Sequence, residues 1–152
     1  MNSLRLLVAA SLVFAAVGGV AHAGEASETA LSPEDTVRKY LGAMQANNFD
    51  EAFNYVSEGL RDDKVKEEWV KEQQYIVQMG EVKIFGFEVF KAVMVDKVAK
   101  VPNILKSQDK YLNQLGLDEY ELYDLIQEDG AWKVDQQTLV EGPERKEYFP
   151  EH

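Results

Sequence analysis

Asp124 is the residue whose type and setting most suggest chemistry. It interrupts the apolar alternation Tyr120, Leu122, Ile126. A carboxyl on a buried strand face has its pKa raised by desolvation and can stay protonated. In that state it can donate a hydrogen bond to a developing negative charge. The favoured alternative is that it points outward on a bent strand or pairs with a Lys or Arg across the sheet. Few other chemistries are open. The sequence has no cysteine, and its two histidines are His22 and His152. Residues 24–151 therefore cannot supply Ser-His-Asp or Cys-His catalysis, thiol redox chemistry or the common zinc sites. The acidic run Asp118, Glu119, Glu121, with Glu128 and Asp129, lacks the spacing and glycine of an EF-hand calcium loop. It is expected to form a solvated face, with no metal site and no cofactor. Trp69 and Trp132 read as packing residues, and Tyr40 reads as a core residue with its hydroxyl at the rim.

These residues must be positioned by an ordinary single domain. Ser32-Pro33-Glu34-Asp35 opens a helix, with serine as N-cap, proline at the first helical position and acids in the first turn. Val37, Tyr40, Leu41 and Met44 then recur at i, i+3, i+4 and i+7, and Asn47-Asn48 ends the stripe. A second short helix is expected from Asp50 through Val56 to Gly59, with Phe49 stapled onto Phe53. A third, capped by Asp62 or Asp63, would carry Val65, Trp69, Ile76 and Met79 on one side and end at Gly80.

After Gly80 the pattern changes to strands. Val82–Phe90 and Ala92–Leu105 are rich in Val, Ile and Phe, with turns near Lys91 and at Asp96-Lys97. Ser107–Gly116 fits either a bulged strand or a short helix. Asp129-Gly130 between two strand-like runs is a hairpin signal, although Asp118–Gln127 also fits a helical face. Residues 141–152 read as a charged tail without a clear period. Helices first and strands after predict an α+β domain over residues 32–140, its helices laid on a curved antiparallel sheet.

Ahead of the domain, Met1–Ala23 carries Arg5, an apolar run from Leu6 to Val17 and the small-x-small sequence Ala21-His22-Ala23. This is the pattern of a secretory signal peptide, with residues 24–31 as a short leader. Export would be to a periplasm if the envelope has two membranes, and otherwise to the medium. Without the signal the chain is 129 residues (152 less 23), and its formal charge moves from −11 to −12 because Arg5 goes with it. At that charge nucleic acid and anionic membrane surfaces are unlikely partners by long-range repulsion. No apolar stretch after Ala23 approaches the roughly 20 residues of a membrane span, and no cysteine is present to carry a lipid anchor.

The run Thr36–Ala52, in which an amphipathic helix meets the polar step Asn47-Asn48-Phe49-Asp50, resembles the opening of the nuclear transport factor 2-like superfamily. The closing Leu122–Val134, with Asp129-Gly130-Ala131-Trp132-Lys133-Val134, resembles its last hairpin. The resemblance implies a cone-shaped fold that hosts enzymes, ligand binders and interaction modules. The group includes ketosteroid isomerase. Its resemblance places Tyr40 and Asp124 on that enzyme's two oxyanion donors, but Arg61–Lys66 offers no positioned general base.

Three functions follow as expectations. The first is an exported binding module, with an apolar pocket lined by Tyr40, Met44, Trp69, Phe85, Phe87, Leu122 and Asp124. The second is an isomerase-, dehydratase- or cyclase-type enzyme using Tyr40 and Asp124. The third is an interaction module pairing through its sheet with a second copy or another exported protein. Binding or interaction ranks above catalysis, because each candidate catalytic residue also has a structural explanation.

Overall fold

The fold was analysed in a computed structural model, which describes residues 29–152. The signal peptide and most of the leader expected from the sequence lie outside the described residues.

The first helix, α1 (Pro33–Gln45), begins where its capping signals lie. The Ser32 side chain accepts the Asp35 N–H, and Pro33 occupies the first turn. Its buried face is Thr36, Val37, Tyr40, Leu41 and Ala43. The second helix is shorter than its pattern suggested. α2 spans only Phe49–Ala52, capped by Asn48, and tightens into a 3₁₀ turn over Phe53–Tyr55.

The third helix, α3 (Lys66–Gly80), departs from expectation at its start and in its buried face. Asp62 and Asp63 both adopt left-handed backbone (φ +55° and +54°), whereas an N-cap needs extended backbone. Val65 takes the cap position instead, without a side-chain hydrogen bond. The face turned inward is Trp69 and Val70, with Val77 partly buried. Ile76 lies one residue, about 100° of helical rotation, away from Val77. Ile76, Met79 and Val65 are accordingly exposed.

The sheet contains β1 (Lys83–Val89), β2 (Val93–Val95), β3 (Val98–Gln108), β4 (Asp118–Glu128) and β5 (Ala131–Leu139). All pairings are antiparallel, in the order β1-β3-β4-β5, with β2 continuing along the β1 side of β3. The β4–β5 connection is the expected two-residue hairpin. Asp129 and Gly130 have φ of +51° and +78°, the doubly left-handed turn that Asp-Gly tolerates. Asp118–Gln127 is strand, and Ser107 and Gln108 end β3.

Both faces of β4 are covered, and this decides the site. One face packs against α1 and α3: Val101 and Leu105 of β3, Tyr123 and Leu125 of β4 and Val134 of β5 join Val37, Tyr40, Leu41 and Trp69 in the main core. On the opposite face Ile104 and Leu122 pack against Val140 and Phe149. The cover there is the expected tail. Residues 144–148 form a fourth helix, α4 (Glu144–Tyr148), and Phe149 is buried edge-to-face between Phe90 (5.5 Å) and Tyr120 (5.0 Å). Arg145 lies over the Tyr120 ring at 3.4 Å. The segment has no hydrophobic period because single residues, not a stripe, dock it. The α+β architecture expected from the sequence, N-terminal helices packed on an antiparallel sheet, is the observed one, with the short α4 added on the sheet's other face.

Candidate functional site

Tyr40 and Asp124 do not converge. Tyr40 sits in the main core, its ring edge-on to Tyr123 at 6.3 Å. Asp124 lies between Tyr123 and Leu125, both of which face that core, so the pleat points it to the opposite side of the sheet. There it meets its cross-strand partner Lys100, whose Nζ donates to both carboxylate oxygens at 2.9 Å. Of the two readings of Asp124, interior acid or partner of a basic residue across the sheet, the structure shows the second, a half-buried ion pair. Asp124→Ala should cost about 1 kcal/mol in a denaturation experiment, the scale of a cross-strand charge pair, and leave ligand binding unchanged.

The acid that does enter the cone is Glu121. Sequence reading placed it on a solvated face, but it is 1% exposed. It lies on the same face as Tyr123 and Leu125, opposite Asn103 on β3. Asn103 Nδ2 donates to Glu121 Oε2 at 3.0 Å, and the Tyr123 hydroxyl donates to the same oxygen at 2.9 Å. Gln137 Nε2, reaching from β5, donates to Oε1 at 2.5 Å. Next along the face, the Ser107 hydroxyl donates to Glu119 Oε2 at 2.5 Å.

Burial sets the electrostatics of this cluster. Desolvation pushes the Glu121 carboxyl above the usual range, and the three donors only partly oppose it. The Tyr40 hydroxyl is pushed up to about 12, first by burial and then by the Glu121 charge. Burial, and then the Glu121 charge, also hold the Tyr123 hydroxyl well above its usual value. At neutral pH both tyrosines are neutral. The arrangement is chemically a carboxyl held by neutral donors. Among the described residues no His or Cys stands beside it, and the neighbouring acid, Glu119, is itself bonded to Ser107 and adds a like charge that raises Glu121 further. The signal that could have found Glu121 is the alternation itself, since Glu121, Tyr123 and Leu125 form the other face of the same strand.

The residues expected to line one pocket are also separated. Tyr40 and Trp69 are buried core residues, Trp69 packing edge-on to Phe53 at 5.8 Å, and Phe87 packs partly buried against the same core. Leu122 and Asp124 belong to the other face of the sheet. Only Met44 and Phe85 meet in one cleft. Among the described residues, five of the surface clefts measure about 230–430 Å³, and none of these five is lined by Tyr40, Glu121 or Tyr123. The cleft that holds Met44 and Phe85 measures about 310 Å³ and is completed by Gln45, Val77, Val82 and Ile84 among others. It lies where the C-terminal ends of α1 and α3 approach the start of β1. The strand is irregular there: its register with β3 shifts between Ile84 and Gly86, and the intervening Phe85 is left 61% exposed over the cleft. Among the described residues, no group of three or more His, Cys, Asp or Glu is placed to hold a metal ion.

No family model matches the chain, and no curated protein sequence matches it. Solved structures do. A protein of Nostoc punctiforme with a cystatin-like fold superposes at a TM-score of 0.52 and 15% identity, over 77% of this chain and 80% of that one. A ketosteroid isomerase-like protein of Shewanella frigidimarina gives 0.51 at 18% identity, over 72% and 95%. Bd1075 of Bdellovibrio bacteriovorus gives 0.50 at 9% identity, over 71% of this chain; the chain spans only 40% of that protein's length. At these identities the likeness concerns backbone architecture alone: the chain has the α+β fold of these cystatin-like and ketosteroid isomerase-like structures, in agreement with the cone-shaped fold that its resemblance to the nuclear transport factor 2-like group implied.

Proposed function

We propose that the protein is an exported, non-catalytic binding module that holds a small apolar molecule in the cleft between α1, α3 and β1. The observation that carries this reading is Phe85, a large apolar side chain standing 61% exposed at a strand irregularity, over a cleft walled by Met44, Val77, Val82 and Ile84. A volume of about 310 Å³ lies at the lower end of the range of small-molecule sites, roughly 300–1,000 Å³. The ligand class is a compact hydrophobic molecule of one or two rings. Lys83 at the rim can take a polar or anionic substituent.

The isomerase-type alternative would now rest on Tyr40 with Glu121 in place of Asp124. Against it stand the three donors that already occupy the Glu121 carboxyl and the absence of any of the five clefts at that residue. Export rests on the sequence of residues 1–23 alone, and N-terminal sequencing of the protein recovered outside the cytoplasm should begin at Gly24.

A thermal-shift screen of small aromatic and alicyclic compounds tests the binding reading. A ligand present at a hundredfold excess over its Kd should add about 2.7 kcal/mol of stability. Phe85→Ser should weaken that ligand about tenfold or more without lowering the stability of the free protein, because the ring is already mostly in water. A screen in which no apolar compound stabilises the protein, or stabilisation unchanged in Phe85→Ser, would sink the proposal.

A further inference from the structure

The segment between β3 and β4 displays apolar side chains outward on a braced loop. Leu112 is 94% exposed, Leu115 83%, and Tyr111 and Leu117 more than half. Such exposure would ordinarily accompany slack backbone, but here the loop is tied from within. The Asp109 carboxylate accepts the N–H groups of Tyr111, Leu112 and Asn113 at 2.6, 2.7 and 3.0 Å. The buried Asn113 side chain donates to the carbonyls of Ser107 and Leu117 and accepts the Leu117 N–H at 2.8 Å. The leucines are thus held out by a backbone that has already lost its conformational freedom. That arrangement lowers the entropic cost of docking. An exposed apolar group of this kind marks an interaction surface or an aggregation liability.

Beside the loop a cleft of about 390 Å³ shows what would fit. Leu112, Leu117 and Leu139 give it apolar walls, and Asp118 and Glu141 add acidic residues to its lining; the Glu119 carboxylate is turned to the other face, onto Ser107. One cation, Arg145, is in the lining, and its guanidinium is stacked on Tyr120. The chain as a whole carries −11. Two copies meeting through this face would set like carboxylates against one another, which opposes a symmetric dimer here. An anionic lipid surface is opposed for the same reason.

We propose that the 109–117 loop and its acidic cleft form a docking surface for a basic amphipathic peptide segment of another protein. Apolar side chains of the segment pack on Leu112, Leu117 and Leu139, and its lysines or arginines face Asp118 and Glu141. The surface shares no residue with the Phe85 cleft and does not depend on a ligand there.

The test uses the whole protein and two synthetic helical peptides of equal length, one of leucine and lysine, the other of leucine and glutamate. Titration calorimetry should give saturable binding of the lysine peptide and none of the glutamate peptide, with affinity falling as salt is raised. Leu112→Ser with Leu115→Ser should weaken it about tenfold or more, and so should Glu141→Lys. These positions are at the surface, so the variants should keep the circular dichroism and melting temperature of the parent. Equal binding of both peptides, or binding unchanged in the leucine variant, would overturn the proposal. Two other results would also overturn it by assigning the leucines elsewhere: self-association in sedimentation that the leucine variant abolishes, or binding to phosphatidylcholine vesicles that it abolishes.

Discussion

Replacing Phe149 with alanine is expected to destabilise the protein by roughly 3–5 kcal/mol, the range for removing a buried phenylalanine. The residue is 1% exposed and joins a small core of Ile104, Leu122 and Val140, with Phe90 and Tyr120 edge-on to its ring. Truncation leaves a cavity and also loosens α4, which the remainder of the segment cannot hold by propensity at five residues. The loss would appear in a urea or thermal denaturation midpoint. A change of less than about 1 kcal/mol would mean that the C-terminal segment rides on the sheet without stabilising it. Because the segment covers one end of the sheet's second face, the sheet-mediated partner expected from the sequence would have to displace Phe149 or use another part of that face. Phe149→Ala would increase such association, and an unchanged monomer would argue against it.

The second large effect lies at Glu121. Glu121→Leu leaves Asn103 Nδ2 and the Tyr123 hydroxyl without an acceptor at positions 0% and 1% exposed. Each stranded donor costs about 1–3 kcal/mol, while Gln137, being exposed, can turn to water. Glu121→Gln keeps an acceptor and removes the ionisation, so it separates hydrogen bonding from charge. In the folded protein the carboxyl titrates above the ordinary 4.5, mainly through burial. The folded state therefore holds the proton more tightly than the unfolded chain. The stabilisation is complete below the unfolded value and is lost as pH rises through the folded one. The glutamine variant lacks that loss. Its stability relative to the parent should increase as pH rises above the ordinary carboxylate range in chemical denaturation, while the leucine variant remains destabilised throughout. A stability difference between parent and glutamine variant that does not change with pH would show that Glu121 is not held above its ordinary pKa.

Much of this fold is legible in the sequence where a local physical rule acts alone. Ser32 and Pro33 start α1 because the cap and fixed proline φ are local devices. Asp129-Gly130 makes the hairpin because those two residues tolerate positive φ. Asp62 and Asp63 show the limit of such signals: acids near a helix start read as caps, yet both take left-handed backbone and the helix begins at Lys66 without them. For α3, Trp69 fits two apolar stripes, and packing against α2 and the 3₁₀ turn selects the one through Val70 and Val77.

The site was less legible than the fold because strand alternation is symmetric. In Tyr120–Gln127 both sets of alternate residues contain large apolar side chains, so the period of two marks two faces without saying which one meets the helices. The set that includes Asp124 is covered by Phe149, a residue distant in sequence. The set that includes Glu121 is covered by α1. By itself the sequence determined that helices precede strands, the first helix cap, the hairpin and the exclusion of His and Cys chemistry, and its resemblance implied the cone fold. Only the tertiary structure decided that Glu121 and not Asp124 enters the cone, that Met44 and Phe85 alone of the expected lining share a cleft, and that the C-terminal segment belongs to the core. Those outcomes depend on contacts between residues far apart in the chain, and local periodicity carries no information about which distant element will cover a given face.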